Sequence, residues 1–600
     1  MIKVSDFIVQ YLEGIGVTDA FSVTGGGAMH LNDSFGKSEK IKCIYNHHEQ
    51  GCAIAAEGYA REKGQLAVVN VTTGPGGLNT LNGVFGQWTD SVPVLYVSGQ
   101  VRYDTTIMSC PDLNLRQLGD QEVNIVAVVK PLTKYAVCIS NPLHVKKELQ
   151  KAIYLATNGR PGPVWLDVPM NVQGSLVDET TLEEFIPAEN ENSSGKEEVK
   201  SVAEVISLLK EAKRPVIVAG QGIRLSDTTN ALNTILEKTN IPVLSTLNGF
   251  DIIDWHHPQH VGTIGTIGSR AGNFAIQNAD LVLFLGTRNN IRQISYNWSA
   301  FARAAKTICV DVDAAELKKP LLKYHLPICA DLKNWLPAFN KEIKSADFNF
   351  TDWLNWCKER KQKYNPVLES YKNQKTCVNP YVFMEQLSFL VPEQSTVVTG
   401  NATACICYFQ AAKIKKHNRV IWNSGCASMG YDLPAAIGAS VASPNSEIIC
   451  LAGDGSLQMN IQELMTMSHN KLSIKLFYLN NDGYISMKQT QDNFFKRRVG
   501  ANKDSGVSFP DMDKIAEAYH LPYRRISTDA NLEYEIKEVL AIKGPVICEV
   551  ILPTEYNFAP KLSSERKPDG RMVSKPMEDM FPFLSREEFK ENMIIPILEE

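Results

Sequence analysis

The chain has 600 residues, enough for three or four domains at ~150 residues each. Its 44% hydrophobic and 21% charged content is that of an ordinary globular protein, and a net charge of -5 leaves no basic footprint for nucleic acid. Thirteen cysteines, odd in number and without a C-x-x-C pair, argue for reduced thiols and a cytoplasmic setting, and no apolar run is long enough to span a bilayer.

At the N-terminus, Val4, Phe7, Ile8, Tyr11 and Leu12 recur at helical spacing with Asp6 and Glu13 among them. This predicts an amphipathic helix and not a signal peptide. Residues 1–176 then alternate helical patterns with buried strands: LAVVNVTT, VPVLYVSG and GPVWLDVP. The polar stretch 177–200 reads as a linker. Residues 201–341 repeat the alternation with RPVIVAGQG, LVLFLGTR and TICVDVD, and the charged stretch 342–378 predicts a connecting helix. Residues 379–560 carry STVVTGN, EIICLAGD, IKLFYLN and GPVICEVIL; the tail 561–600 shows no obvious strand and is expected to pack over a site or fray. Continuous Val/Ile/Leu runs joined by connections long enough for crossover helices mean parallel strands covered on both faces. The predicted fold is α/β, with three doubly wound domains.

The stretch 453–482, GDGSLQMNIQELMTMSHNKLSIKLFYLNND, is the most informative. Asp454 lies in a Gly-x-Gly turn after one apolar strand, and Asn480-Asn481 closes the next. A strand–turn–helix–strand unit puts the ends of two parallel strands side by side, so Asp454 and Asn481 share a sheet edge. Two hard oxygen ligands beside a helix N-terminus suit Mg²⁺ and a diphosphate. A lone GDG is a weak signal, since Gly and Asp are ordinary turn residues. The second strand end with its paired Asn raises it. Farther back, Glu49 stands where a strand gives way to the small-residue helix AIAAEGYAR; alone it reads as a helix-dipole partner. His47 and His48 are adjacent, face different directions on a helix and make a poor metal pair.

Together these stretches resemble the acetolactate (acetohydroxyacid) synthase-like family of thiamine diphosphate (ThDP) enzymes, over nearly the whole chain and in the same domain order. The resemblance implies that Asp454, Asn481 and the carbonyl of Gly483 hold Mg²⁺, with Gly453, Gly455, Ser456 and Thr403 around the diphosphate. Glu49, in HEQGCAIAAEGYAR, falls on the glutamate that activates ThDP through its aminopyrimidine ring. Gly26 and Gly27 match the loop whose backbone approaches the reacting carbons, Asn79 a cofactor-lining turn, Gln121 the active-site glutamine and Lys134 a family lysine. Met429 matches the residue that bends the cofactor; core packing is the bland alternative for any methionine. In the middle domain Gly220, Gly222, Gly265, Arg288, Arg292, Asp311 and Asp331 match positions that line FAD in this family. Structural ion pairs are the alternative for both arginines. The resemblance also implies a homodimer or homotetramer, with Glu49 of one subunit meeting the diphosphate held by another.

Four departures bear on the acceptor. Thr490 stands where the family has a tryptophan and Met170 where it has a lysine. Asn401-Ala-Thr-Ala404 replaces Gly-Gln-His, and Cys110–Gln117 is inserted ahead of Gln121. The expected activity is a carboligase taking pyruvate as donor and pyruvate or a larger keto compound, such as a nucleotide-linked ketosugar, as acceptor. A 2-keto acid decarboxylase or a flavin-dependent pyruvate oxidase on the same scaffold is the alternative.

Overall fold

The computed structural model describes residues 1–187, 195–320, 322–343, 348–566 and 570–598. Three six-stranded parallel sheets, each flanked by helices, make an α/β molecule. All ten strands read from apolar runs are present; for example EIICLAGD forms Ile448–Gly453 and IKLFYLN forms Ile474–Asn480. Eight further strands complete the sheets, among them Lys42–Tyr45, Tyr135–Cys138 and Tyr523–Ile526.

Strand order separates the sheets into two kinds. Numbered within each sheet by chain order, the first and third both run 2-1-3-4-6-5, whereas the middle sheet runs 3-2-1-4-5-6. Each order reverses beside strand 1, and ligands of open α/β sheets bind outside the strand ends at such a reversal. In the first sheet the reversal lies between Asp19–Ser22 and Ala67–Val71, followed by the turns that carry Gly26–Gly27 and Thr73–Asn79. In the middle sheet it lies between Pro215–Ala219 and Leu281–Leu285, followed by Gly220–Gly222 and Gly286–Arg288. In the third it lies between Thr396–Thr399 and Ile448–Gly453, followed by Asn401–Thr403 and Asp454.

The N-terminal helix forms as Val4–Gly14 and buries Val4, Phe7, Ile8 and Leu12. Helix Glu49–Lys63 of the first domain packs along Asp432–Ala442 of the third. Gly58 and Gly438 permit it: a Cβ on either would stand within 2.1 Å of the opposing backbone carbonyl.

Two stretches differ from the sequence expectation. The stretch 177–200 is not all connector: Leu176–Val177 pairs with Ile2–Lys3, and a helix begins at Gly195. Residues 188–194 of the expected linker lie outside the described residues. The tail does contain strands. Ser564–Arg566 pairs with Met572–Ser574, a short polar hairpin with no apolar run to announce it. Residues 577–595 of the tail lie on the middle domain. Asn273 Nδ2 donates to Met577 O and Asn278 Nδ2 to Asn592 O, while Arg303 bonds the Glu578 carboxylate at 2.8 Å.

Candidate active site

The edge of the third sheet gathers Asp454, Asn481 and Gly483. Strand pairing sets Gly453 opposite Leu479, so the residues that follow are neighbours. Asp454 Oδ2 accepts the backbone N–H of Asn481 (3.1 Å) and of Gly483 (3.0 Å), and Oδ1 accepts that of Gly455 (2.7 Å). The carboxyl is buried, and burial pushes its pKa up to about 6 against the three amides that favour its charged form. The Asn481 side-chain amide turns onto the carbonyl of Gly483. Gly483 has φ +131, which lets the chain reverse there, and Lys488 Nζ bonds the carbonyls of Asn481 and Asp482. Among the described residues no cluster of three or more His, Cys, Asp or Glu could hold a metal. A cation here would rest on one carboxylate and neutral oxygens.

Ser456 ties this turn to the segment carrying Met429. The Gly430 N–H donates to Ser456 Oγ (2.9 Å), which donates to Asp432 Oδ2 (2.5 Å), and Asn460 Nδ2 holds the Gly430 carbonyl (2.7 Å). Gly430 has φ +79, and a Cβ there would press Met459 and Asn460 at 2.8 Å. Met429 is thus held on a turn that glycine allows, half-exposed rather than packed in the core. Asn401 Nδ2 reaches the Ala427 carbonyl (2.5 Å), and Thr403 Oγ1 meets the Tyr556 hydroxyl at the start of helix Thr403–Ala411. An added Cβ on Gly453 would meet nothing within 4 Å, so the backbone there borders open space; on Gly455 it would run into the Tyr484 ring.

The first sheet presents a second half. Glu49 opens helix Glu49–Lys63, and its Oε2 accepts Asn79 Nδ2 at 3.0 Å, which leaves Oε1 over Gly76. The turn Thr73–Gly74 is braced from below: Thr73 Oγ1 donates to Gln100 (2.5 Å), whose Nε2 holds the Val123 carbonyl and Asp167. Gly74 has φ +60 and lies under the carbonyl of Gln121, itself left-handed at φ 61 and exposed. Gly27 N–H donates to Thr72 Oγ1 (3.1 Å), whereas Gly26 faces open space. Lys134 does not join them: its ammonium binds the carbonyls of Asn158 and Arg160, both at 2.7 Å.

Sequence reasoning missed the residues that join these halves. Buried Glu463 accepts Asn46 Nδ2 (2.8 Å), His47 N (3.1 Å) and Thr466 Oγ1 (2.7 Å), so it fixes the loop before Glu49; Gly51 leaves it room. Arg61, four residues after Glu57 on the same helix, bridges the Glu57 and Asp90 carboxylates at 2.8 and 2.9 Å, and Glu57 also receives Asn423 and Tyr431. The i,i+4 spacing of Glu57 and Arg61 was the available signal.

In the middle sheet a cavity of about 430 Å³ opens at the strand-order reversal, lined by Gly222, Gly286, Arg288, Asp311, Asp331 and Asp90 among others. Gly220 backs it, since a Cβ there would strike the Gly286 carbonyl at 2.3 Å. Arg288 lies 3.8 Å from Asp90 Oδ1, a buried oxygen without a hydrogen bond. Gly265 and Arg292 are not among the lining residues. The Gly265 N–H is held by Asn273, and the Arg292 carbonyl accepts Thr266 N while its side chain is exposed.

Comparison with known proteins agrees with this geometry. Three family models match in order: the N-terminal TPP-binding domain of thiamine pyrophosphate enzymes over 2–125, their central domain over 202–339 and their C-terminal TPP-binding domain over 399–550. Among curated relatives, acetolactate synthase 3 (chloroplastic) of Brassica napus is 31% identical over 572 residues, 94% of this chain and 85% of that protein. The acetolactate synthase large subunit of Lactococcus lactis subsp. lactis (strain IL1403) is 31% identical over 559 residues, 93% of this chain and 94% of its own. Matches of this extent, on sheets whose reversals carry the motif residues, mean that the chain belongs to the thiamine pyrophosphate enzyme family and is a ThDP-dependent, acetolactate synthase-like enzyme.

Proposed function

We propose a Mg²⁺-dependent carboligase that decarboxylates pyruvate and transfers the two-carbon unit to a second carbonyl. The observation that carries this reading is the buried Asp454 carboxyl, ringed by backbone amides beside Asn481 and the Gly483 carbonyl. Burying a carboxylate without a close counter-charge is costly, and the attraction of Lys488 does not offset the burial of this one. A hard divalent cation on Asp454, Asn481 and the Gly483 carbonyl would restore its ionised form. The open backbone at Gly453 and the helix start at Thr403 suit the diphosphate oxygens.

Bound ThDP supplies the nucleophilic carbon that decarboxylation of a 2-keto acid needs. The chain does the rest. Asn79 holds Glu49 Oε2, so Oε1 is the oxygen that holds and returns the proton exchanged with the aminopyrimidine. Met429, on its Gly430 turn, would be the side chain that holds bound cofactor in its reactive shape. Gln121 and the Gly26–Gly27 backbone orient the reacting oxygens, Gly26 being the one that borders open space. The family resemblance implies a homodimer or homotetramer as the working unit, with Glu49 of one subunit meeting the diphosphate held by another. The N-terminal domain spans 1–176, the central domain 201–341 and the C-terminal domain 379–560.

The middle-sheet cavity is assigned to FAD. Arg288 and Lys333 offer cations for phosphates, and Asp90, Asp311 and Asp331 offer acceptors for hydroxyls. The acceptor is pyruvate, giving acetolactate, or a larger keto compound such as a nucleotide-linked ketosugar. The second is favoured by Thr490, which is exposed on helix Ile485–Phe494 and bonds only its own Ser486 carbonyl (2.9 Å).

Proton NMR of the protein with ThDP, Mg²⁺, FAD and pyruvate tests the reading. Rapid acetolactate formation assigns pyruvate as acceptor. Slow pyruvate loss, accelerated by a nucleotide ketosugar, assigns the larger one. Aldehyde release or flavin bleaching by pyruvate alone replaces the carboligase with the decarboxylase or the oxidase.

A further inference from the structure

A second cavity, of about 460 Å³, lies between the loop 255–260 of the middle domain, the connecting helix Thr351–Lys363 and the end of helix Thr403–Ala411. Its lining is charged on one side only. Lys358, Lys361, Lys413, His256, His257 and His260 contribute, and no Asp or Glu does.

The cations are not all accounted for by the fold. Lys361 is: its ammonium donates to Trp255 O (2.8 Å), His260 O (2.9 Å) and His260 Nδ1 (3.2 Å). Lys413 is not. Its side chain is 9% exposed, its nearest carboxylate, Glu385, is 3.7 Å away, and its other neighbour is the Trp255 ring at 4.0 Å. A distance of 3.7 Å is too long for a hydrogen bond, so this buried ammonium has N–H groups to spare. With Nδ1 of His260 accepting from Lys361, the ring proton sits on Nε2, a buried N–H without a partner. Burial and the neighbouring Lys413 bring Lys361 down to about 7, and burial also lowers Lys413. Burial is the main cause of both shifts, and Asp254 beside Lys361 and Glu385 beside Lys413 offset only part of it.

The basic side chains of the lining are lysines and histidines, with no arginine. Lysine acts as a point charge toward phosphate oxygens, so clustered ammonium groups suit a small, doubly charged oxyanion. We propose that this cavity binds a phosphate dianion, free or as the head of a phosphate ester, at a site apart from the cofactor edge. Helix Thr403–Ala411 joins the two: Thr403 opens it at the diphosphate side, and Gln410 near its other end lines this cavity, roughly 10 Å away at the α-helical rise.

The test is calorimetric titration of the full-length protein, saturated with ThDP and Mg²⁺, with inorganic phosphate and separately with glycerol 3-phosphate. Saturable binding is expected, at least tenfold weaker in Lys413→Met and about threefold weaker in Lys358→Met, which lies near the surface and keeps the test open if Lys413→Met fails to fold. Tighter binding of the ester assigns an esterified ligand, and equal or weaker binding assigns the free anion. No saturable heat at millimolar phosphate, or equal affinity in the wild type and Lys358→Met, overturns the site.

Discussion

The first and third sheets have one topology and opposite chemistry. Both run 2-1-3-4-6-5 and both place their motif residues where that order reverses. The third sheet puts a carboxyl inside the protein there, Asp454, and surrounds it with amides. The first offers bare backbone at Gly26 and a half-buried Glu49 steadied by one amide from Asn79. Shared topology therefore fixes where a ligand edge lies, and the few residues after each strand decide whether it grips or reacts. On the proposed reading the third sheet holds the cofactor and the first works on it.

The sharpest way to break that division is Glu49→Gln. The amide keeps the size and a bond to Asn79 but cannot exchange a proton, so turnover should fall by about 10²–10⁴-fold, the range of general acid–base catalysis. ThDP retention should be unchanged. Co-loss of cofactor, read by the thiamine released on denaturation, would place Glu49 in the grip instead.

The next largest effect concerns what joins the halves. Arg61→Met leaves the Glu57 and Asp90 carboxylates buried without their cation. Breaking a buried ion pair by removing one partner costs about 3–5 kcal/mol. Denaturant unfolding should show that loss. The matching change Glu57→Gln should cost less, because Asp90 keeps Arg61.

Much of the fold was legible because ten strands carry apolar runs, as expected where helices cover both faces. The eight missed strands are mostly short or edge strands. Tyr135–Cys138 is half-exposed along its whole length, and Tyr523–Ile526 exposes Arg524 and Arg525, so neither carries the run that marks a buried strand. Strand order was not legible, because both orders use the same alternation of strand and helix. At the site, Asp454 and Asn481 could be read because a strand–helix–strand unit brings them to one edge. Glu463 could not: it meets Asn46 across 417 residues, and no local pattern encodes that contact.

Asp454→Asn examines the grip by pH. The wild-type carboxyl is raised from 3.8 to about 6 by burial. Its contribution to stability is therefore fully present below pH ~4 and is lost as pH rises through ~6, because the folded state must then bury the charge. At 1.36 kcal/mol per unit the difference amounts to about 3 kcal/mol in protein free of cation. Buried Asp432 and Asp167, raised to about 6 and about 7, act in the same direction. Cation-free wild type should lose melting temperature between pH 5 and 7, and Mg²⁺ with ThDP should restore it at pH 7. Asp454→Asn should show a shallower slope and no restoration. An unchanged response to Mg²⁺ in the variant would remove Asp454 from the metal site.

The smallest effect tests whether the inserted stretch belongs to the reacting half. Glu122 is buried, and its carboxylate collects the backbone N–H groups of Ile107, Leu118 and Gly119. These bonds tether both ends of the inserted stretch Cys110–Gln117 next to Gln121. In Glu122→Gln the amide keeps one oxygen acceptor and presents an NH₂ to donors that need an acceptor, at a cost of about 1–3 kcal/mol for the group left unsatisfied. That cost falls on a surface loop, so the global melting temperature should barely move, while hydrogen exchange over 107–121 should speed up. If the loop shapes the acceptor side, KM for the acceptor should rise with KM for pyruvate as donor unchanged. A change in the donor half-reaction would instead tie this loop to the chemistry at Glu49.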